Sequence, residues 1–123
     1  MAWAQRLLGL YKGAFLAGEE DLPDVLVTRE RVQNKFSRQM GALGHHLQAM
    51  GKLAQAAMVF ERVVEQQPLA EEIFRRLITC LIALERPAEA YEVYRRCRQQ
   101  LSVVLGIRPA RDTEALVASL RNL

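Results

Sequence analysis

Nowhere in these 123 residues does an apolar run approach the roughly 20 residues that a helix needs to cross a bilayer. Cysteine occurs twice, at Cys80 and Cys97, too seldom for a disulfide-stapled scaffold. Both lie in helical apolar pattern. Buried thiols acting as small hydrophobes are the favoured reading, with a disulfide or redox pair as the alternative. Neither charge sign dominates. The net charge is +3, with 8 basic and 7 acidic side chains in residues 1–68 and 9 and 7 in residues 69–123. A nucleic-acid track needs a concentrated basic face, because affinity scales with the phosphates neutralised. This thin surplus does not supply one. No segment alternates with the period of two of a half-buried strand. The first residues lack the charged stretch and cleavage site of a secretory leader, so a mature amphipathic helix in a cytoplasmic protein is expected.

Catalytic and ligand-holding sets are missing as well. His45 and His46 are the only histidines. Adjacent helical residues point about 100° apart, so they cannot share a metal as an i, i+4 pair does. No glycine loop can cradle a phosphate. Gly41 and Gly44 fall mid-helix, where close packing explains them better. Ser37, Ser102 and Ser119 have no visible base or orienter. Glu19, Glu20, Asp21 and Asp24 lack calcium-loop spacing and are expected to be solvated. No catalytic residue, metal or cofactor is expected, and the chain is not expected to be an enzyme.

What is present is helical periodicity in a chain 50% hydrophobic and 25% charged, an ordinary balance for one globular domain. Trp3, Leu7, Leu8 and Tyr11 predict a short helix, with Phe15 and Leu16 folding back onto the body after it. A glycine-rich and acidic loop then runs to Asp24. Val32, Phe36, Met40, Leu43 and Leu47 predict a long helix over about 25–50, ended by Gly51. Further helices are predicted over 53–67, stopped by Pro68, and over about 70–85. Pro87 suits the first turn of the next, whose inward stripe is Ala90, Val93, Tyr94, Cys97, Leu101 and Leu105, closed by Gly106. A last helix over about 112–120 carries Leu116 and Leu120.

Two of these helices carry a repeat. "GKLAQAAMVFER" laid on "ERPAEAYEVYRR" pairs Ala56 with Ala90, Val59 with Val93, Phe60 with Tyr94 and Arg62 with Arg96. The offset from position 56 to position 90 matches the tetratricopeptide period of about 34 residues, in which one repeat is a pair of antiparallel helices. The expected fold is therefore all-α, about six helices arranged as tetratricopeptide-like antiparallel hairpins over 37–67 and 71–105. Such pairs cannot bury their apolar faces alone and must stack. In this register the first helix of each repeat lines a groove. Its positions are Arg38, Gly41, His45, Gln48 and Ala49, then Glu72, Arg75, Thr79, Ile82 and Ala83. A peptide or partner helix fits that polar mixture, as does the first or last helix of the same chain. Arg95, Arg96 and Arg98 form the densest basic stretch. It is read as a solvated face, with a partner-docking face as the alternative.

Three stretches resemble one family. They are "LLGLYKGAFLAGEE" at the start, "RERVQNKF" after the acidic loop, and "AEAYEVYRRCRQQLSVVLGIRPARDTEAL" at the end. The last is similar to a repeat helix followed by Leu-Gly-Val-x-Pro-Ser-Pro-x-Thr-x-x-Leu. Together they resemble the bacterial transcriptional activator domain of antibiotic-biosynthesis regulators and related signalling regulators. Ala110 and Arg111 depart from that motif's Ser-Pro, so Asp112 is expected to cap the last helix and start it late. The resemblance implies a tetratricopeptide-like fold and a role in transcription control, usually beside a separate DNA-binding winged helix that these residues do not contain. Residues 1–123 are accordingly expected to be one domain from a longer regulator. Its partners would be proteins: other domains of the same chain, a second copy, or the transcription machinery. No specific DNA binding and no membrane contact are expected. A free-standing tetratricopeptide adaptor and a small-molecule effector sensor are the competing readings.

Overall fold

A computed structural model describes residues 23–121. The helix predicted over Trp3–Tyr11, the fold-back of Phe15 and Leu16, and most of the acidic loop lie outside the described residues. The elements are α1 Pro23–Ala49, α2 Leu53–Gln66, α3 Glu71–Ala83, α4 Pro87–Gln100 with a π-helical extension Leu101–Leu105, and α5 Arg111–Arg121. No strand occurs among the described residues. Helices α1 to α4 pack each on the one before, as two hairpins in succession. The last helix packs on both α3 and α4, whereas α1 and α3 barely meet.

Burial follows the register of the repeat. Ala56 and Ala90 are both fully buried, and Val59, Val93, Phe60 and Tyr94 are buried with them. Arg62 and Arg96 are both exposed. Small residues at these positions let helices cross closely, and the large ones fill the space between. The tightest approach lies at Gly44. A β-carbon there would stand 2.5 Å from Cε1 of Phe60, inside the ring's van der Waals envelope. At Gly41, one turn earlier, a β-carbon would meet only Ile73 Cδ1 at 3.6 Å, an ordinary contact.

The turns repeat too. Lys52 N–H donates to the Leu47 carbonyl and Arg86 N–H to the Leu81 carbonyl, each at 2.9 Å and one repeat apart. The residue that reverses the chain is left-handed in both, Gly51 at φ 78° and Glu85 at φ 60°. Glycine takes that conformation freely, while glutamate pays for its β-carbon. The predicted end of α3 at Glu85 thus moves back to Ala83.

One expectation about the core needs correction. Leu105 does not continue the buried stripe of α4; it is 52% exposed. The π turn at Leu101–Leu105 adds a residue per turn and throws Val103, Val104 and Leu105 outward, with Ile107 beyond them. In α5, Leu116 and Leu120 pack half-buried against the core, and Thr113 and Val117 at the centre of the contact are fully buried.

Two alanine substitutions separate close packing from helix propensity. Gly44→Ala pushes against the Phe60 ring and is expected to lower the melting temperature, since overpacking costs about 1–3 kcal/mol against a propensity gain of at most about 1. Gly41→Ala has room and is expected to hold or raise it. Thermal melts of the two variants beside the parent check the pair, and equal shifts would contradict the packing.

Candidate functional site

The shortfall of packing between α1 and α3 leaves a cavity of about 730 Å³. It is formed on three elements. Helix α1 contributes a stripe at Ser37, Arg38, Gly41, Ala42 and His45, spaced so that one face of the helix supplies it. Helix α3 supplies Glu72, Ile73 and Arg76 from its first turns, with Ala70 at its entry. Val63 and Gln67 at the end of α2 complete the lining. The glycine and the two alanines are why there is space.

The charges are unevenly matched. Arg76 pairs with Glu72 one turn away at 3.5 Å. Arg38 and His45 are exposed and make no ion pair or hydrogen bond among the described residues. Ser37 Oγ is shielded from solvent and has no hydrogen-bond partner.

Of the six groove residues named from the sequence, Arg38, His45 and Glu72 come together around this cavity. The other three do not line it. Gln48 is half-buried with an unpartnered Oε1. Thr79 donates its hydroxyl to the Arg75 carbonyl at 2.8 Å. Arg75 is committed to the other side of α3, where it helps hold the last helix. Sequence reasoning passed over Ser37 as ordinary and did not single out Ile73 or Arg76.

The hold on α5 centres on Glu71. Its Oε2 accepts the Ala110 N–H at 2.7 Å and the Thr113 hydroxyl at 2.6 Å. Arg75 Nη1 lies 3.6 Å from the same oxygen and donates to Thr113 Oγ1 at 3.3 Å. Thr113 is buried yet has both hydrogen-bonding roles filled. The carboxylate sits at the N-terminus of α5, where orphan N–H groups and the helix dipole favour negative charge. So the cap comes from 39 residues away, not from Asp112, and the helix starts at Arg111 without delay. Tyr94 adds a second tie by donating to Glu114 Oε1 at 2.8 Å. Burial, then the Glu114 carboxylate, raises the Tyr94 phenol above its ordinary range, partly offset by Arg98.

Arg95, Arg96 and Arg98 line a smaller cavity of about 340 Å³ with Tyr91 and Glu92. Arg95 faces Glu92 at 3.4 Å, Arg96 reaches Glu61 of α2 at 2.7 Å, and Arg98 stands by the Tyr94 phenol.

Cys80 and Cys97 are free and buried. Burial raises both thiols, Cys97 to about 11, with the nearby Glu71 charge adding to the rise and Arg75 opposing it. A thiolate is the reactive form, so neither is a nucleophile at neutral pH. No group of three or more metal-ligating side chains occurs among the described residues.

The decisive comparison is with protein families. The model of the bacterial transcriptional activator domain matches residues 3–121. The chain belongs to that family. Its role therefore lies in transcription regulation, and the family is a regulatory one. No curated protein and no solved structure gives a match to this chain. Within this activator domain the "PARDTEAL" stretch has a structural task, since Pro109 and Thr113 are buried and Ala110 and Thr113 are held by Glu71.

Glu71→Ala is expected to cost about 1–3 kcal/mol of stability, because it orphans a helix N-terminus and a buried hydroxyl together. Hydrogen exchange should show α5 losing protection ahead of the hairpins; uniform loss across the chain would contradict a local clasp.

The thiols give a pH test. Their folded pKa values lie above the ordinary 9.0, so the native state holds its protons longer than the unfolded chain. The associated stability is complete below about pH 9 and is lost as pH rises toward about 11. Urea midpoints should fall over that window, and less steeply in Cys97→Ala. At about pH 8 a thiol reagent should label both residues only after denaturation.

Proposed function

We propose that this domain is a non-enzymatic protein-interaction module of a longer cytoplasmic regulator, and that it receives a protein partner in the groove between α1 and α3. The partner is another domain of the same polypeptide, a second copy, or a component of the transcription machinery. The observation that carries this reading is the open step in the helix array, bordered by the unengaged Arg38 and His45. A stacked helical array buries its faces where it can, and a concave face left open is the usual binding surface of such folds.

The arginines argue against direct DNA reading. Arg62, Arg75, Arg76, Arg86, Arg95 and Arg96 each face a glutamate within 4.0 Å. Phosphate contacts would have to break these pairs. Base readout needs side chains held at base edges as well.

One experiment addresses both halves. Residues 1–123 alone are titrated with a promoter of the parent regulator at about physiological salt with competitor DNA, and no selective binding is expected. The parent regulator carrying Gly41→Leu, which fills the groove, should then bind that promoter normally but activate transcription several-fold less. Selective binding by the isolated domain, or full activation by the filled groove, would overturn the reading.

A further inference from the structure

The second hairpin packs on α2, and from it Arg96 of α4 reaches back to Glu61 of α2 at 2.7 Å. On α2, Ala57 and Val64 are 7% and 3% exposed. Shifting by one repeat puts Ala57 on Tyr91, Glu61 on Arg95 and Val64 on Arg98. All three counterparts on α4 are exposed, Tyr91 at 39%. Among the described residues only α5 follows α4, and no helix returns beside α4 as α4 returns beside α2. Tyr91, Arg95, Arg98 and Ser102 form one stripe, at the i, i+4, i+7 and i+11 spacing of a single helix face.

That open face carries two kinds of group. The first is apolar. At one end the π turn exposes Val103, Val104, Leu105 and Ile107, Val103 at 77%. At the other end the Tyr91 ring rests beside the Tyr94 ring, centroids 5.9 Å apart, as an ordered aromatic anchor. The second is cationic. Arg95 has an exposed partner in Glu92 of its own helix, a pairing worth little. Arg98 and Arg108 make no ion pair among the described residues. With Ile107 they line a furrow of about 550 Å³ between α4 and the start of α5.

We propose that this face of α4 docks an acidic amphipathic helix of a partner protein, laid where the returning helix of a further hairpin would lie. The sign of the charge follows from the preceding step. There α2 offers the carboxylate of Glu61, and the arriving α4 offers Arg96. On α4 the position of Glu61 is held by Arg95, so the arriving helix must bring the carboxylate. A second acid on it reaches Arg98 or Arg108, and its apolar side chains cover Tyr91 and Val103. From Tyr91 to Val103 the face runs about 18 Å, the length of about 12 residues of helix. An extended strand would find few backbone partners there, because the N–H and C=O groups of α4 are spent within the helix. A second copy paired through this face would set Arg95 and Arg98 against like charges. The exposed apolar patch, on the order of a few hundred Å², also falls short of the roughly 800 Å² per partner that a stable dimer buries. This surface is separate from the groove between α1 and α3.

The test presents the whole 123-residue chain with a phage-displayed library of helical peptides randomised on one face, at about physiological salt. Selected peptides should combine Asp or Glu with large apolar residues. Arg95→Glu and Arg98→Glu should each weaken their binding about tenfold, and Val103→Asp should weaken it as much. A peptide whose acids are changed to Lys should bind the Arg95→Glu, Arg98→Glu double variant better than the parent. Arg62→Glu on α2 and the groove-filling Gly41→Leu should leave binding unchanged. All the α4 positions are exposed, and circular dichroism checks that each variant keeps its helices. Neutral or basic peptides, peptides indifferent to the α4 variants, or no selected peptides would overturn the proposal. Peptides lost in Gly41→Leu alone would overturn it and leave the groove reading standing. It falls equally if Val103→Asp abolishes self-association of the parent chain in sedimentation, which gives the face to a second copy. Loss in that variant of binding to vesicles of phosphatidylcholine and phosphatidylglycerol would overturn it in favour of a lipid surface.

Discussion

The ring of Phe60 occupies the place where a β-carbon on residue 44 would have to go. That exclusion fixes the distance between α1 and α2. The spacing of the first hairpin sets where α3 enters, since α3 packs chiefly on α2. The wall separation of the groove therefore depends on a contact on the neighbouring face of α1, one turn from Gly41. Close-packed interiors transmit such constraints because they have no slack to absorb them.

The second hairpin repeats the first in its core and departs from it on its open face. Ala56, Val59 and Phe60 have buried counterparts one repeat on, and even the left-handed turn recurs at Glu85 in spite of its side chain. On the outer face the equivalents Ser37 and Gly41 against Glu71 and Arg75 share neither size nor charge. The second step of the array is closed by an internal ion pair, and the first is left unfilled. Packing fixes the repeat, while the groove-side positions are free to differ.

Helix existence and register were legible because they depend on local periodicity. The bounds of α2 and α4 fall within a residue or so of those expected from Leu53, Pro68 and Pro87. Three kinds of feature were not. Leu105 sits at a helical position in the sequence, and only the π turn moves it off the stripe. The start of α5 depends on Glu71, which no window around Ala110 contains. The groove residues split because Arg75 has a closer partner across α3, while Arg38 and His45 have none among the described residues. Each miss is a case where a tertiary contact or a change of helical pitch overrode a local rule.

The π turn also changes the direction in which the chain leaves the second hairpin. An α-helix continued through Leu105 would keep its phase and carry the chain straight on along the axis of α4. The wider turn retards that phase before Gly106, at φ 65°, reverses the path. The following residues then come back across α4, which brings Pro109 into the core and Ala110 within reach of Glu71. One surplus residue in a single turn acts as a steering device that redirects the chain toward α5.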